Sequence, residues 1–253
     1  MIYAAKSHIG LVRTMNQDGY AVLDDLPVGV LFVVADGMGG PQAGDVASRI
    51  AVERVSEYVA HHLSAEADPR EVVSSAIAYA NEEIYRRASA VPEYAGMGTT
   101  IVCALALADR MVVAHVGDSR AYALTGGEFR QVTEDHSLVA ELVRRGHLSA
   151  AEARHHPQRN IVTRSLGTEP VSLPDLTELP WGEGDVLLLC SDGLSNLVED
   201  DELQGFLEQA RGARAQQDVS AAVDAMIQLA LDRGGTDNVT ALVAVHREED
   251  TIG

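Results

Sequence analysis

Cysteine is scarce. Of 253 residues only Cys103 and Cys190 carry thiols. Each sits inside an apolar run without a CxxC neighbour, so both are read as buried free thiols, suited to a reducing compartment such as the cytoplasm. Long hydrophobic runs are missing: none approaches the roughly 20 apolar residues that span a bilayer. Residues 1–18 lack the charged-then-apolar pattern of a secretory leader. Positive charge is short as well. Lys+Arg 19 against Asp+Glu 38 leaves 19 − 38 = −19, a surface that repels phosphate backbones and anionic lipid and argues against nucleic acid and membranes as partners. No internal repeat, low-complexity tract or linker interrupts the chain. The glycines at 37–40 do not make GxGxxG, and neither a P-loop GxxxxGK[ST] nor the kinase HRD and DFG set is present.

What remains is an ordinary globular composition, 46% apolar and 23% charged, long enough for a sizeable core. Apolar runs at 30–35, 99–107, 111–116, 120–124, 129–132, 185–190 and 238–246 read as strands, and short turns at Ala108-Asp109-Arg110 and Gly126-Gly127 make hairpins of two pairs. Helical spacing runs through 44–63 (Val46, Ile50, Val52, Val55, Val59, Leu63) and through a segment opened by Pro69 (Val72, Val73, Ile77, Ile84, Tyr85). Further helices are expected at 137–152, 200–209 and 218–231, with a polar excursion around His155 and His156. Short hairpins imply antiparallel pairing, and the segregation of strands from helices makes the chain α+β.

One feature recurs. Apolar strands run into an aspartate in a turn at Asp36-Gly37, Asp118-Ser119 and Asp192-Gly193, and Asp237-Asn238 opens the last strand; Asp18 follows Asn16-Gln17. A single such aspartate is an ordinary turn former. Several at buried strand ends would repel one another unless a cation lay between them. Oxygen ligands without a Cys or His cluster suit Mg2+ or Mn2+, and the glycines would let backbone, including the Gly37 carbonyl, come close to an ion. Spacing alone does not bring the four together. Arg13, whose fork matches phosphate oxygens, adds phosphoryl chemistry to the reading; without kinase or P-loop motifs, that chemistry is hydrolysis.

The ordered set Gly10-x-x-Arg13-x-x-Asn16-Gln17-Asp18, Val34-Ala35-Asp36-Gly37-Met38-Gly39-Gly40, Met97-Gly98-Thr99-Thr100, Val116-Gly117-Asp118-Ser119-Arg120, Asp135-His136-Ser137-Leu138, Thr163-Arg164-Ser165-Leu166-Gly167, Ser191-Asp192-Gly193-Leu194 and Gly235-Thr236-Asp237-Asn238-Val239-Thr240 resembles the metal-dependent (PPM, type 2C) Ser/Thr protein phosphatases, in their bacterial single-domain branch. The resemblance implies a four-layer α/β/β/α sandwich of two antiparallel sheets flanked by helix pairs, formed by residues 1–253 as one domain with a flap at about 138–165. It implies hydrolysis of phosphoserine and phosphothreonine monoesters by water held at two Mn2+ or Mg2+ ions, without a phospho-enzyme. Asp36 would bridge the ions, with the Gly37 carbonyl on one and Asp192 and Asp237 on the other. Asp118 would share a third ion with Asp192, Arg13 would grip the phosphate with its loss leaving metal binding intact, and Asp18 would orient the water. The implied partners are phosphorylated proteins, a Hanks-type kinase and its substrates.

Several residues depart from that pattern. Gln17 stands where many members have Glu, so water is expected between it and any ion. Met38 cannot supply the proton that a histidine two residues after the bridging aspartate supplies in some members, and Pro41 replaces a histidine found in bacterial relatives. His136 is expected to be structural, and a pairing of Asp118 with Arg120 is the bland alternative for that turn. Two other functions compete: a catalytically weak binding module on the same fold, for which loss of the aspartates or Arg13 would be the sign, and a different two-metal hydrolase such as a phosphodiesterase, which would recruit histidine ligands.

Overall fold

The computed structural model describes residues 1–40 and 43–247; Pro41 lies outside them. Two antiparallel sheets stack face to face. The five-stranded sheet has β1 (Ile2–His8), β11 (Val239–Val245), β10 (Val186–Cys190), β7 (Arg120–Thr125) and β8 (Glu128–Gln131) in that order. The six-stranded sheet runs β2 (Asp18–Leu23), β3 (Val30–Met38), β5 (Ile101–Ala106), β6 (Arg110–Val116) and β9 (Asp175–Pro180), with the two-residue β4 (Gly98–Thr99) beside the end of β3. Helices α1 (Ala43–His62) and α2 (Pro69–Ala90) cover the six-stranded sheet, and α5 (Asp192–Ser195), α6 (Asp200–Arg211) and α7 (Gln216–Asp232) cover the other. This is the expected four-layer sandwich.

Side chains alternate across each strand, so one strand feeds two cores. Leu31, Val33 and Ala35 of β3 pack under α1 and α2, while Phe32 and Val34 face the second sheet. In β10, Leu187 and Leu189 enter the same inter-sheet layer and Val186, Leu188 and Cys190 pack under the opposite helices. Strands covered on both faces must be apolar throughout, which is why these read as continuous runs. Cys103 lies in one helix–sheet layer and Cys190 in the other, both wholly buried, so they cannot pair. Burial pushes each thiol up to about 12.

Helix α2 begins at Pro69, where the sequence opened that segment, and the Asp68 side chain caps it by accepting from the Arg70 amide at 3.0 Å. The helix expected at 137–152 is instead two short ones, α3 (Leu138–Arg144) and α4 (Ala150–Arg154). Gly146 turns the chain at φ 73°, and Ser149 with Glu152 forms a capping box that starts a new helix. Strands β1, β2 and β9 carry no continuous apolar run. They are outer strands of their sheets and half exposed.

Candidate metal centre

The sandwich brings the predicted aspartates to one end. Asp18 and Asp36 face each other across β2 and β3. Asp118 occupies the turn between β6 and β7, Asp192 opens α5 directly after β10, and Asp237 immediately precedes Asn238 and β11. Arg13, Asp36, Gly37, Asp118, Asp192 and Asp237 line one cleft of about 490 Å³, so each sheet contributes carboxylates to it.

Close backbone packing sets this convergence. A Cβ on Gly37 would fall 2.0 Å from the Gly44 carbonyl oxygen, so the end of β3 and the start of α1 touch only because both residues are glycine. A Cβ on Gly193 would fall 1.9 Å from the Asn238 carbonyl oxygen, which locks the Asp192 turn against the Asp237 turn. Gly37 therefore has a packing reason of its own, besides leaving its carbonyl near the cleft.

Hydrogen bonds then fix the Asp18 side chain and the backbone around the site. Ser191 Oγ and Thr240 Oγ1 donate to Asp18 Oδ2 at 2.8 and 2.6 Å, while Asp18 Oδ1 is buried with no partner. The Asp36 amide donates to Thr100 Oγ1 at 3.0 Å, and that hydroxyl lies 2.7 Å from Ser119 Oγ, beside Asp118. Asn238 binds the connection between β1 and β2 at three points: its Oδ1 accepts from the Gln17 amide at 2.8 Å, and its Nδ2 donates to the Ile9 and Met15 carbonyls at 2.9 Å each. Asn238, Ser191, Thr240 and Thr100 are the residues that sequence reasoning missed. They stand in the quoted motifs, but their partners are remote in sequence.

The site has an excess of negative charge. Burial, then repulsion from Asp18, Asp192, Asp118 and Asp237, pushes Asp36 well above the usual carboxylate range. Burial and Asp192 raise Asp118 to about 8. Asp192 rises to about 6 through burial and Asp237, despite a hydrogen bond with Asp36. Burial takes Asp18 to about 7 against the pull of its two hydroxyl donors. A divalent cation would relieve this repulsion, and the orphaned Asp18 oxygen faces the same need for a donor. The donors are oxygens throughout, and among the described residues no His or Cys lines the cleft. The residues fit a hard cation of the Mg2+ or Mn2+ kind.

Other predicted residues have specific partners. Arg13 Nη2 donates to Asp237 Oδ2 at 2.6 Å, so it is tied to one of the candidate ligands. Arg120 forks onto Asp135 at 2.7–3.1 Å, not onto Asp118. Gln17 Nε2 donates to the Gly40 carbonyl at 2.8 Å. His136 Nδ1 accepts from the Gly117 amide at 3.0 Å, steadying the Asp118 turn. His156 Nδ1 accepts from the Gln158 amide at 3.2 Å, and neither it nor His155 lines the cleft. His115, His136 and Asp175 also bring ligand atoms within 4.8 Å of one another. There the Arg164 guanidinium already stands 2.7 Å from His136 Nε2 and 2.8 Å from Asp175 Oδ1, filling the place of a cation.

Comparison with known proteins agrees in fold and sequence. The protein phosphatase 2C family profile matches residues 6–230. The serine/threonine phosphatase stp of Listeria innocua is 40% identical over 237 residues, covering 92% of this chain and 91% of that protein. The crystal structure of the Mycobacterium tuberculosis serine/threonine phosphatase PstP/Ppp superposes with TM-score 0.85 at 36% identity, covering 97% of this chain and 98% of that one. A structure of the PstP catalytic domain in complex with two manganese ions gives TM-score 0.81 at 34% identity, with 96% of each chain covered.

Proposed function

This chain belongs to the protein phosphatase 2C family, and we propose that it is a metal-dependent phosphatase of phosphoserine and phosphothreonine in proteins. The observation that carries the reading is the convergence of four strand-end aspartates and Arg13 on one cleft. We assign residues 1–253 to one phosphatase domain, with 138–165 as its flap. The substrates are phosphorylated proteins in the cytoplasm, and the opposing enzyme is a Ser/Thr kinase.

Asp36, the Gly37 carbonyl, Asp192 and Asp237 would hold two Mn2+ or Mg2+ ions, and Asp118 with Asp192 a third. When bound, such ions lower the pKa of water and neutralise charge developing on the phosphoryl oxygens. The protein's own groups supply position. Arg13 uses Nη2 on Asp237, leaving its other donors to fork onto the phosphate. Asp18 has Oδ2 pinned by two hydroxyls, which leaves Oδ1 to accept a hydrogen bond from the attacking water. Water is the nucleophile in this reading, since both cysteines lie wholly buried in the cores. Met38 lines the cleft but has no proton to give, so the leaving oxygen takes its proton elsewhere, and the Asp118 corner is the assigned place.

The test is turnover of a phosphothreonine peptide, p-nitrophenyl phosphate and its bis-ester, with Mn2+ and after exhaustive chelation. Both monoesters should be hydrolysed only with the metal, and the bis-ester poorly. Full activity after chelation, or a preference for the bis-ester, would overturn the reading.

A further inference from the structure

We propose that the lips of this cleft form an apolar platform that selects phosphopeptides with apolar side chains next to the phosphorylated residue. The proposal rests on the phosphatase reading and adds a substrate class to it. Among the described residues eight large apolar or aromatic side chains are exposed. Four of them, Leu11 at 64%, Val12 at 66%, Met15 at 37% and Ile161 at 43%, fall on the two segments that border the cleft. Met15 lines it directly, Leu11 and Val12 immediately precede Arg13, and Ile161 stands between the lining residues Asn160 and Val162. The first three lie on the connection between β1 and β2, and Ile161 lies on the flap.

These segments are held. The Leu11 amide donates to the Gly235 carbonyl at 2.7 Å, and Asn238 grips the Ile9 and Met15 carbonyls. On the flap, the Leu138 amide donates to the Ile161 carbonyl at 2.9 Å, and Ser137 bridges to Val162. Apolar side chains shown to solvent by a fixed backbone are pre-organised for contact, since little ordering remains to be paid on binding. The occupant follows from continuity with the phosphate position at Arg13: a peptide whose phosphorylated residue enters the cleft must lay its neighbours across these lips. Charge narrows it further. The chain has a net charge of −19, so acidic neighbours are repelled.

The experiment compares three peptides with one phosphothreonine and flanks of Leu, Ser or Asp, in the wild type, in the double variant Leu11→Ser and Val12→Ser, and in Ile161→Ser. All three positions are exposed, so the fold should tolerate the changes. The wild type should favour the leucine-flanked over the serine-flanked peptide by about tenfold in kcat/KM, mainly through KM, and should turn over the aspartate-flanked one most poorly. The variants should bring the leucine-to-serine ratio toward one and leave p-nitrophenyl phosphate turnover unchanged. Equal use of leucine and serine flanks by the wild type, or a preference that survives both variants, would overturn the proposal. No turnover of any peptide would overturn the phosphatase reading beneath it, and the preference with it.

Discussion

Arg13 donates to Asp237 while half its side chain remains exposed, so in the proposed reading it serves the substrate phosphate and a candidate metal ligand at once. That changes what its removal should do. A bidentate, charge-assisted contact is worth roughly 1.5–3 kcal/mol, so Arg13→Ala should lower kcat/KM by about 10- to 200-fold. It should also release Asp237 from a competing cation and tighten Mn2+ binding by up to about fivefold, the scale of an exposed ion pair. Calorimetric titration with Mn2+ beside peptide kinetics checks both; unchanged metal affinity would return Arg13 to the simpler role expected from sequence. Asp118 admits a comparable test, because Arg120 is taken by Asp135 and a simple Asp118–Arg120 turn pair is excluded. Asp118→Asn should keep the melting temperature and cost at least about tenfold more kcat/KM on a phosphothreonine peptide than on p-nitrophenyl phosphate, whose leaving group needs no proton. Equal losses on both substrates would reject a part in leaving-group protonation.

At the scale of elements, the site depends on two turns that touch. The start of α5 sits against the residues entering β11 only because position 193 has no side chain. Gly193→Ala must separate them, and overpacking of this kind costs about 1–3 kcal/mol, or several degrees of melting temperature in a chain this long. Because Asp192 and Asp237 part together, Mn2+ affinity should fall as well. A variant with wild-type melting and wild-type Mn2+ binding would show that the turns are not coupled. Elements also explain what could be read in the sequence. Strands β3, β5, β10 and β11 were legible because both faces are buried. The outer strands β1, β2 and β9 were not, since half-exposed residues leave no run; β8, also an outer strand, was betrayed by the Gly126-Gly127 turn. The break between α3 and α4 was present as Gly146 and the Ser149–Glu152 cap, but helical spacing in the flanking residues outweighed it. In the site, the aspartates announced themselves by standing at strand ends. Ser191 and Thr240 did not, because each meets Asp18 across more than 170 residues of chain.

For the molecule as a whole, folding concentrates carboxylates at one end of the sandwich and leaves their repulsion in place. A cation that binds the folded state and not the unfolded one stabilises it by mass action, so metal binding and folding should be linked through this cleft. The central claim is that Asp36, Asp192 and Asp237 together hold the ions, and calorimetric titration of the chelated protein with Mn2+, in the wild type and in Asp36→Asn, Asp192→Asn and Asp237→Asn, tests it most directly. The account predicts two tight sites in the wild type, a raised melting temperature on saturation, and the loss of tight binding in each variant together with nearly all peptide turnover. Wild-type Mn2+ affinity and turnover in any one of the three variants would contradict it.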